Sequence, residues 1–274
     1  MSYRTLRGPI PITALGFLLW TSVLLAQEQS RESMANDSTA SQWSFQFAYE
    51  WTDWYTDEIE PGVNRPEGNQ NLVQFRVVAP FKLKGLSILP RVTLRNLQAV
   101  DGSSGLGNAE VFGLIVPLEW ATGRFAIGPQ INFPAEKEQL GTRAWRYGFA
   151  TGVLQRLAND KVLTGALVQQ VWGKTDANNP DEVEPSPLTI QPIFNYALPG
   201  AWYVNIGETA FRRDWDTGAW IIPIGIRFGK LFIGDKDTWN VYVEYRRTVV
   251  YEDWPGAASK NSFRLNVSYS IPVG

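Results

Sequence analysis

The chain has no cysteine and no histidine, and only two methionines, in 274 residues. Without cysteine there can be no disulfide, thiol nucleophile, sulfur-ligated metal or lipoprotein anchor, a composition suited to an oxidising compartment. Without histidine the usual proton carrier near neutral pH is missing, so Ser-His and Cys-His nucleophilic sites are excluded. Any metal site would have to be built from oxygen ligands alone. Formal net charge is −2, which leaves no basic footprint for nucleic acid. Beyond the first 26 residues no apolar run approaches the ~18 residues of a membrane helix. The Gly-rich stretch 101–108 is not followed by Gly-Lys-Ser/Thr or by a helical pattern, so it does not read as a phosphate loop.

What the chain does have is alternation. In Phe263-Arg264-Leu265-Asn266-Val267-Ser268-Tyr269-Ser270-Ile271 every odd position is apolar and every even position polar. Successive strand side chains point to opposite faces, so this strand has one apolar and one polar side. Residues 239–246 repeat the pattern, and Trp220, Ile222, Ile224, Ile226 and Phe228 form one face of another run. Each run has about the length of a strand that crosses a bilayer.

Twelve such strands are expected, at 43–50, 72–79, 87–96, 109–118, 124–132, 144–153, 162–171, 188–195, 202–209, 220–228, 239–247 and 263–271. Long polar segments follow the odd strands and mostly shorter links follow the even ones. That layout predicts an all-β fold, an antiparallel transmembrane β-barrel of about 12 strands over residues 43–274. Closure follows because lipid cannot satisfy an open strand edge. A soluble β-sandwich, which turns its apolar face inward, is the competing fold.

The tryptophans supply a second pattern. Trp43, Trp120, Trp202 and Trp239 fall at one set of strand ends, and Trp51, Trp145, Trp172 and Trp220 at the other. Two such belts are what amphipathic rings at both membrane interfaces give.

Residues 1–26 read as a secretory signal peptide, with Arg4 and Arg7 ahead of a largely apolar stretch; an uncleaved anchor helix is the alternative. Residues 27–42 are polar and aperiodic and read as a flexible lead-in.

Several short motifs, in order, resemble one bacterial family. They are Ser104-Gly105-Leu106-Gly107-Asn108, then Ala201-Trp202-Tyr203-Val204-Asn205 with Glu208 and Asp214-Trp215. Trp220-Ile221-Ile222-Pro223-Ile224, Phe228-Gly229-Lys230-Leu231-Phe232 and the closing Phe263-Arg264-Leu265-Asn266-Val267 follow. The chain is similar, over roughly residues 70–274, to the outer-membrane barrel transporters of the MetA-pathway phenol-degradation type, some of which carry the label neuromedin U. The resemblance implies a small outer-membrane barrel that passes small organic compounds, and it carries over no catalytic residue and no cofactor. The partners implied by such a barrel are the lipid bilayer with its lipopolysaccharide, a small-molecule solute and the barrel-assembly machinery.

Turning apolar side chains to lipid places Arg76, Arg91, Arg95, Arg146, Arg227, Arg246 and Arg264 in the lumen with Tyr242, Glu50 and Glu244. An arginine facing lipid at the bilayer midplane would cost about 2–4 kcal/mol, which favours the inward assignment. Two readings of this face stand side by side: a basic bore that passes or binds small anions, and a structural network that fills a narrow barrel. The chain therefore reads either as a channel for small organic solutes or as a closed structural or surface-interaction barrel. A paired-carboxylate enzyme built on Glu208 with Asp214 or Asp216, and a Ca²⁺ site at Asp176, Asp181, Glu182 and Glu184, are set against the plainer reading of solvated loops; neither a catalytic residue nor a metal site is assigned.

Overall fold

The computed structural model describes residues 30–273, apart from 38, 61, 66, 84–85, 174–186 and 255–256. The expected signal peptide and the acidic cluster from Asp176 to Glu184 lie outside the described residues. No described helix is long and apolar enough to cross a membrane.

The chain forms one closed antiparallel barrel of 12 strands. They are β1 (Gln42–Trp54), β2 (Asn69–Val78), β3 (Leu86–Gln98), β4 (Glu110–Trp120), β5 (Gly123–Asn132), β6 (Arg146–Leu157), β7 (Val162–Gly173) and β8 (Leu188–Leu198). Next come β9, in two pieces (Trp202–Asn205 and Phe211–Arg213), β10 (Trp220–Ile233), β11 (Thr238–Val250) and β12 (Ser259–Pro272). Each pairs with its sequence neighbour, and β1 closes the ring on β12, from Gln42 opposite Pro272 to Trp54 opposite Ser259. Both barrel termini lie at one end, here the terminal end; the other is the loop end.

Burial in this barrel is inverted relative to a water-soluble protein. Phe47 (58% exposed), Val73, Ile224, Ile226, Val243 and Leu265 stand outward, whereas Gln74, Thr93, Asn266 and Glu244 are at most 3% exposed inside. An apolar band this continuous is explained by a hydrocarbon surround rather than by water. Of the eight tryptophans expected in two belts, Trp145, Trp172, Trp202 and Trp239 are exposed at or next to strand ends, and several pack on neighbouring rings: Trp202 stacks on Phe228 at 4.9 Å, and Trp239 meets Tyr269 at the same distance.

One part of the wall departs from simple alternation. Leu89, Phe112, Leu114, Val116, Ala126, Ala150 and Leu167, on β3 to β7, point inward and form an apolar core inside the barrel, with Ile193 of β8 against it. Small residues let these strands coil closely: a Cβ on Gly128 would lie 1.7 Å from the Gly113 carbonyl oxygen.

From residue 30 the lead-in folds into the terminal-end mouth. Arg31–Asn36 is a short helix, α1, capped by Ser30, whose side chain accepts from the Ser33 N–H. Ala35 packs on Tyr203, Leu231 and Tyr242, and Arg31 donates to the carbonyls of Gly234 and Asp235. Arg124 holds the next residues, donating to the Thr39 carbonyl at 2.9 Å and pairing with Asp37 at 3.5 Å. A six-residue helix has no stability of its own, so its order comes from these contacts with the barrel interior. Arg124→Ala is expected to loosen this segment, seen as faster limited proteolysis within residues 30–41 while the barrel itself stays resistant. Unchanged cleavage would mean that Arg124 is not what holds it.

Candidate functional site

Ladder register places Arg76, Arg91, Arg95, Arg146, Arg227, Tyr242, Glu244, Arg246 and Arg264 on the inner side of their strands. Arg76 stands opposite Gln46, Arg91 opposite Phe112, and Arg95 opposite Gln74. Arg146 faces Asn132, Arg227 faces Glu244, and Arg264 faces both Glu50 and Glu244. The structure brings Arg76, Arg227, Tyr242, Glu244, Arg246 and Arg264 into one interior network, sets Arg91 in a neighbouring cluster with Glu110, and places Arg95 and Arg146 nearer the loop end.

Its centre is a residue outside the regular ladders. Between its two pieces β9 leaves the wall, and residues 206–210 turn into the lumen. Gly207 makes the turn with φ +73, a left-handed value that an L side chain adopts at a cost, and a Cβ there would lie 2.7 Å from the Glu244 carboxyl carbon. The Asn205 side chain accepts the Gly207 N–H at 2.7 Å. The result is that Glu208 projects into a ring of guanidinium groups, 2.9 Å from Arg76, 3.3 Å from Arg264 and 3.9 Å from Arg227.

A second carboxylate is more deeply held. The Glu244 side chain is 0% exposed and lies 2.5 Å from Arg227 and 2.8 Å from Arg246, while it also accepts the Glu208 N–H at 3.0 Å. Glu50 bridges Arg246 at 2.6 Å and Arg264 at 3.2 Å. Glu110 pairs with Arg91 at 3.1 Å and receives the amides of Gln130 and Gln169. Two arginines also lie over rings: Arg227 is 3.8 Å from the Tyr242 centroid and Arg91 is 4.0 Å from Phe112.

This network divides the interior. Toward the loop end lies a chamber of about 470 Å³, and toward the terminal end, under α1, a smaller one of about 120 Å³. Arg76, Arg91, Gln191 and Glu208 line both and mark the boundary. Among the described residues, seven arginines (Arg76, Arg91, Arg95, Arg146, Arg212, Arg246 and Arg264) but three carboxylates (Glu50, Glu110 and Glu208) line the larger chamber. Its fixed charge is therefore positive, in a low-dielectric enclosure where such a field is strong. Among the described residues Arg95 and Arg212 have no carboxylate within ion-pair reach; Arg95 donates to the Asn108 carbonyl at 3.1 Å.

Three members of this site were not expected from sequence in these roles. Glu110 opens a strand whose two faces are both apolar further along, so alternation could not orient it. Arg212 sits in the second piece of β9, a stretch that reads as loop. Sequence alone presents Glu208 as an acid partner of Asp214 or Asp216; Asp214 instead is buried in the turn before β10, taking the Thr217 hydroxyl at 2.9 Å and the Asp216 N–H at 3.2 Å. The structure does not bring those acids to Glu208 as a catalytic pair. No group of three or more acidic residues suited to a metal occurs among the described residues.

No protein-family model matches the chain, and no curated protein matches it either. Solved structures do. An outer membrane channel from Pseudomonas putida F1 aligns over 89% of this chain and 99% of its own, with a TM-score of 0.63 at 15% identity. The β domain of the Bordetella autotransporter BrkA covers 85% of this chain and 98% of its own, at a TM-score of 0.46 and 10% identity. Outer membrane phospholipase A from Escherichia coli covers 88% and 98%, at 0.45 and 15%. At these identities the likeness is one of fold: the chain shares the barrel architecture of the Pseudomonas protein.

Proposed function

We propose that the chain is an outer-membrane channel of the transporter type for small organic solutes, anionic or aromatic in character. The observation that carries this reading is the loop-end chamber, large enough for a small molecule and lined, among the described residues, by four more arginines than carboxylates. The terminal end, where both barrel termini lie, faces the periplasm, and the loop end with its lipopolysaccharide surround faces the exterior. An entering carboxylate meets Arg95 and Arg212 first, whose forks suit planar anions, and then the ring of arginines around Glu208. The fold shared with a bacterial outer membrane channel, the motif resemblance to outer-membrane transporters and the apolar outer band all support the placement in that membrane. Insertion there would pass through the barrel-assembly machinery. The absence of histidine and the full engagement of Glu208 and Glu244 by arginines speak for passage of solute rather than chemistry on it.

A neutralising pair tests this without disturbing ion pairs. Arg95→Gln with Arg212→Gln is expected to move the reversal potential of the refolded channel toward cations, with unaltered heat-modifiable migration on gels. A reversal potential that stays where it was would remove these two residues from the anion path.

A second reading keeps a specific observation of its own. The arginine–carboxylate contacts cross the lumen and α1 occupies the terminal-end mouth, as in a closed barrel whose loops do the binding. Planar-bilayer recording separates the two: a barrel that never conducts, in any salt, is the closed one.

A further inference from the structure

The wall of this barrel is interrupted at one place, and the interruption faces lipid. Where β9 turns inward, residues 191–194 of β8 and 222–226 of β10 lose their ninth-strand partners, and no ladder joins β8 to β10 across the break. A single backbone bond, from the Ile206 N–H to the Phe194 carbonyl at 3.3 Å, reaches over part of it. Unpaired backbone within hydrocarbon costs several kcal/mol per group, so such a gap persists only where it is covered or lines a cavity. Here it lines one: Pro192 and Phe194, whose side chains belong to the outer face of β8, border the terminal-end chamber beside the inward-facing Ile193 and Leu167. Pro192 and Pro223 fall within the two unpartnered stretches and bring no N–H to be satisfied.

We propose that this break is a side portal through which small apolar or aromatic molecules pass between the terminal-end chamber and the hydrocarbon of the surrounding bilayer. Its rim is apolar on both sides, with Phe194 on one and the exposed Ile224 and Ile226 on the other. Just inside, Ile193 and Leu167 continue that surface; Arg76 and Arg91 belong to the opposite wall, and Arg227, which follows Ile226 on β10, is paired with Glu244 at 2.5 Å. A solute without charge therefore meets no desolvation barrier between lipid and chamber, whereas an ion does. The inward fold of residues 206–210 thus has two consequences: it delivers Glu208 to the arginines and it vacates the wall.

The proposal rests on the reading of the chain as a membrane barrel, and the test reports the two separately. The natural chain has no cysteine, so Ile193→Cys gives one reactive thiol in the full-length barrel refolded into vesicles. N-pyrenylmaleimide dissolved in the lipid and a charged methanethiosulfonate in the water are compared as labels. The lipid-borne reagent is expected to label this thiol, and adding Phe194→Trp with Ile224→Trp, which narrows the rim, should slow it several-fold while leaving the aqueous reagent's rate unchanged. Lipid-borne labelling that is absent, or that the two tryptophans do not slow, overturns the portal. Heat-modifiable migration of each variant shows independently whether the barrel has formed, so failure of the membrane reading would be seen on the gel and not in the labelling ratio.

Discussion

Replacing Arg227 and Arg246 together with glutamine is expected to destabilise the barrel by about 3–5 kcal/mol, the usual cost of leaving a buried charge without its partners. From the sequence this pair looks exchangeable, since glutamine keeps hydrogen-bonding capacity. The geometry says otherwise. The Glu244 carboxylate is wholly enclosed, and these two guanidinium groups supply its only ion pairs among the described residues. Removing both strands a negative charge beside a second one, Glu208. The double variant should unfold at a clearly lower temperature when followed by the gel shift of the heat-modified band. Adding Glu244→Gln to it should recover much of the loss, because the stranded charge goes with it. A triple variant no more stable than the double would show that the arginines act by packing and not by holding Glu244.

The converse change is expected to spare the fold and alter the current. Glu208→Gln removes the carboxylate that ties together the two halves of the constriction. Each of its arginines keeps another partner: Arg76 retains the Thr93 hydroxyl at 3.3 Å, Arg227 retains Glu244, and Arg264 retains Glu50. The boundary between the two chambers gains one net positive charge and loses the ion pairs that cross it. Both effects act in the same direction, because fixed charge in a low-dielectric passage sets the local concentration of counter-ions. Anion conductance should rise severalfold and the reversal potential should shift further toward anions. An unchanged reversal potential and conductance would place Glu208 outside the ion path and leave it a purely structural role, and a shift toward cations would contradict the expected sign.

Much of the architecture could be read in the chain because a barrel strand has a period of two and two different solvents. Residues 263–271 show both at once: lipid selects Phe263, Leu265 and Val267, while the lumen selects Arg264, Asn266 and Ser268. The register that sets Glu244 and Glu50 on either side of Arg264 then follows from hairpin and closure. The same logic is silent on β4 to β7. There Phe112, Leu114, Val116 and Leu167 face inward although apolar, because the interior holds a packed core, and two apolar faces give alternation nothing to choose between. Glu208 was hidden for a different reason. Ile206-Gly207-Glu208-Thr209-Ala210 reads as the end of a strand running into a loop, and only Gly207 hints that the backbone leaves the wall. Its partners lie up to 132 residues away and meet it only once the ring is closed. The lead-in is placed by contacts that no pattern of its own announces: α1 packs on Tyr203 and Leu231, and Arg124 holds the residues that follow it.

The most direct measurement of a positively charged passage is the reversal potential of the refolded, unmodified barrel in a planar bilayer under a salt gradient. The field of the arginines is screened within about 10 Å at 0.1 M salt and within about 3 Å at 1 M. Anion preference at low salt that fades as salt is raised is the predicted result. Cation preference, or a bilayer that stays silent at every salt concentration, would contradict it.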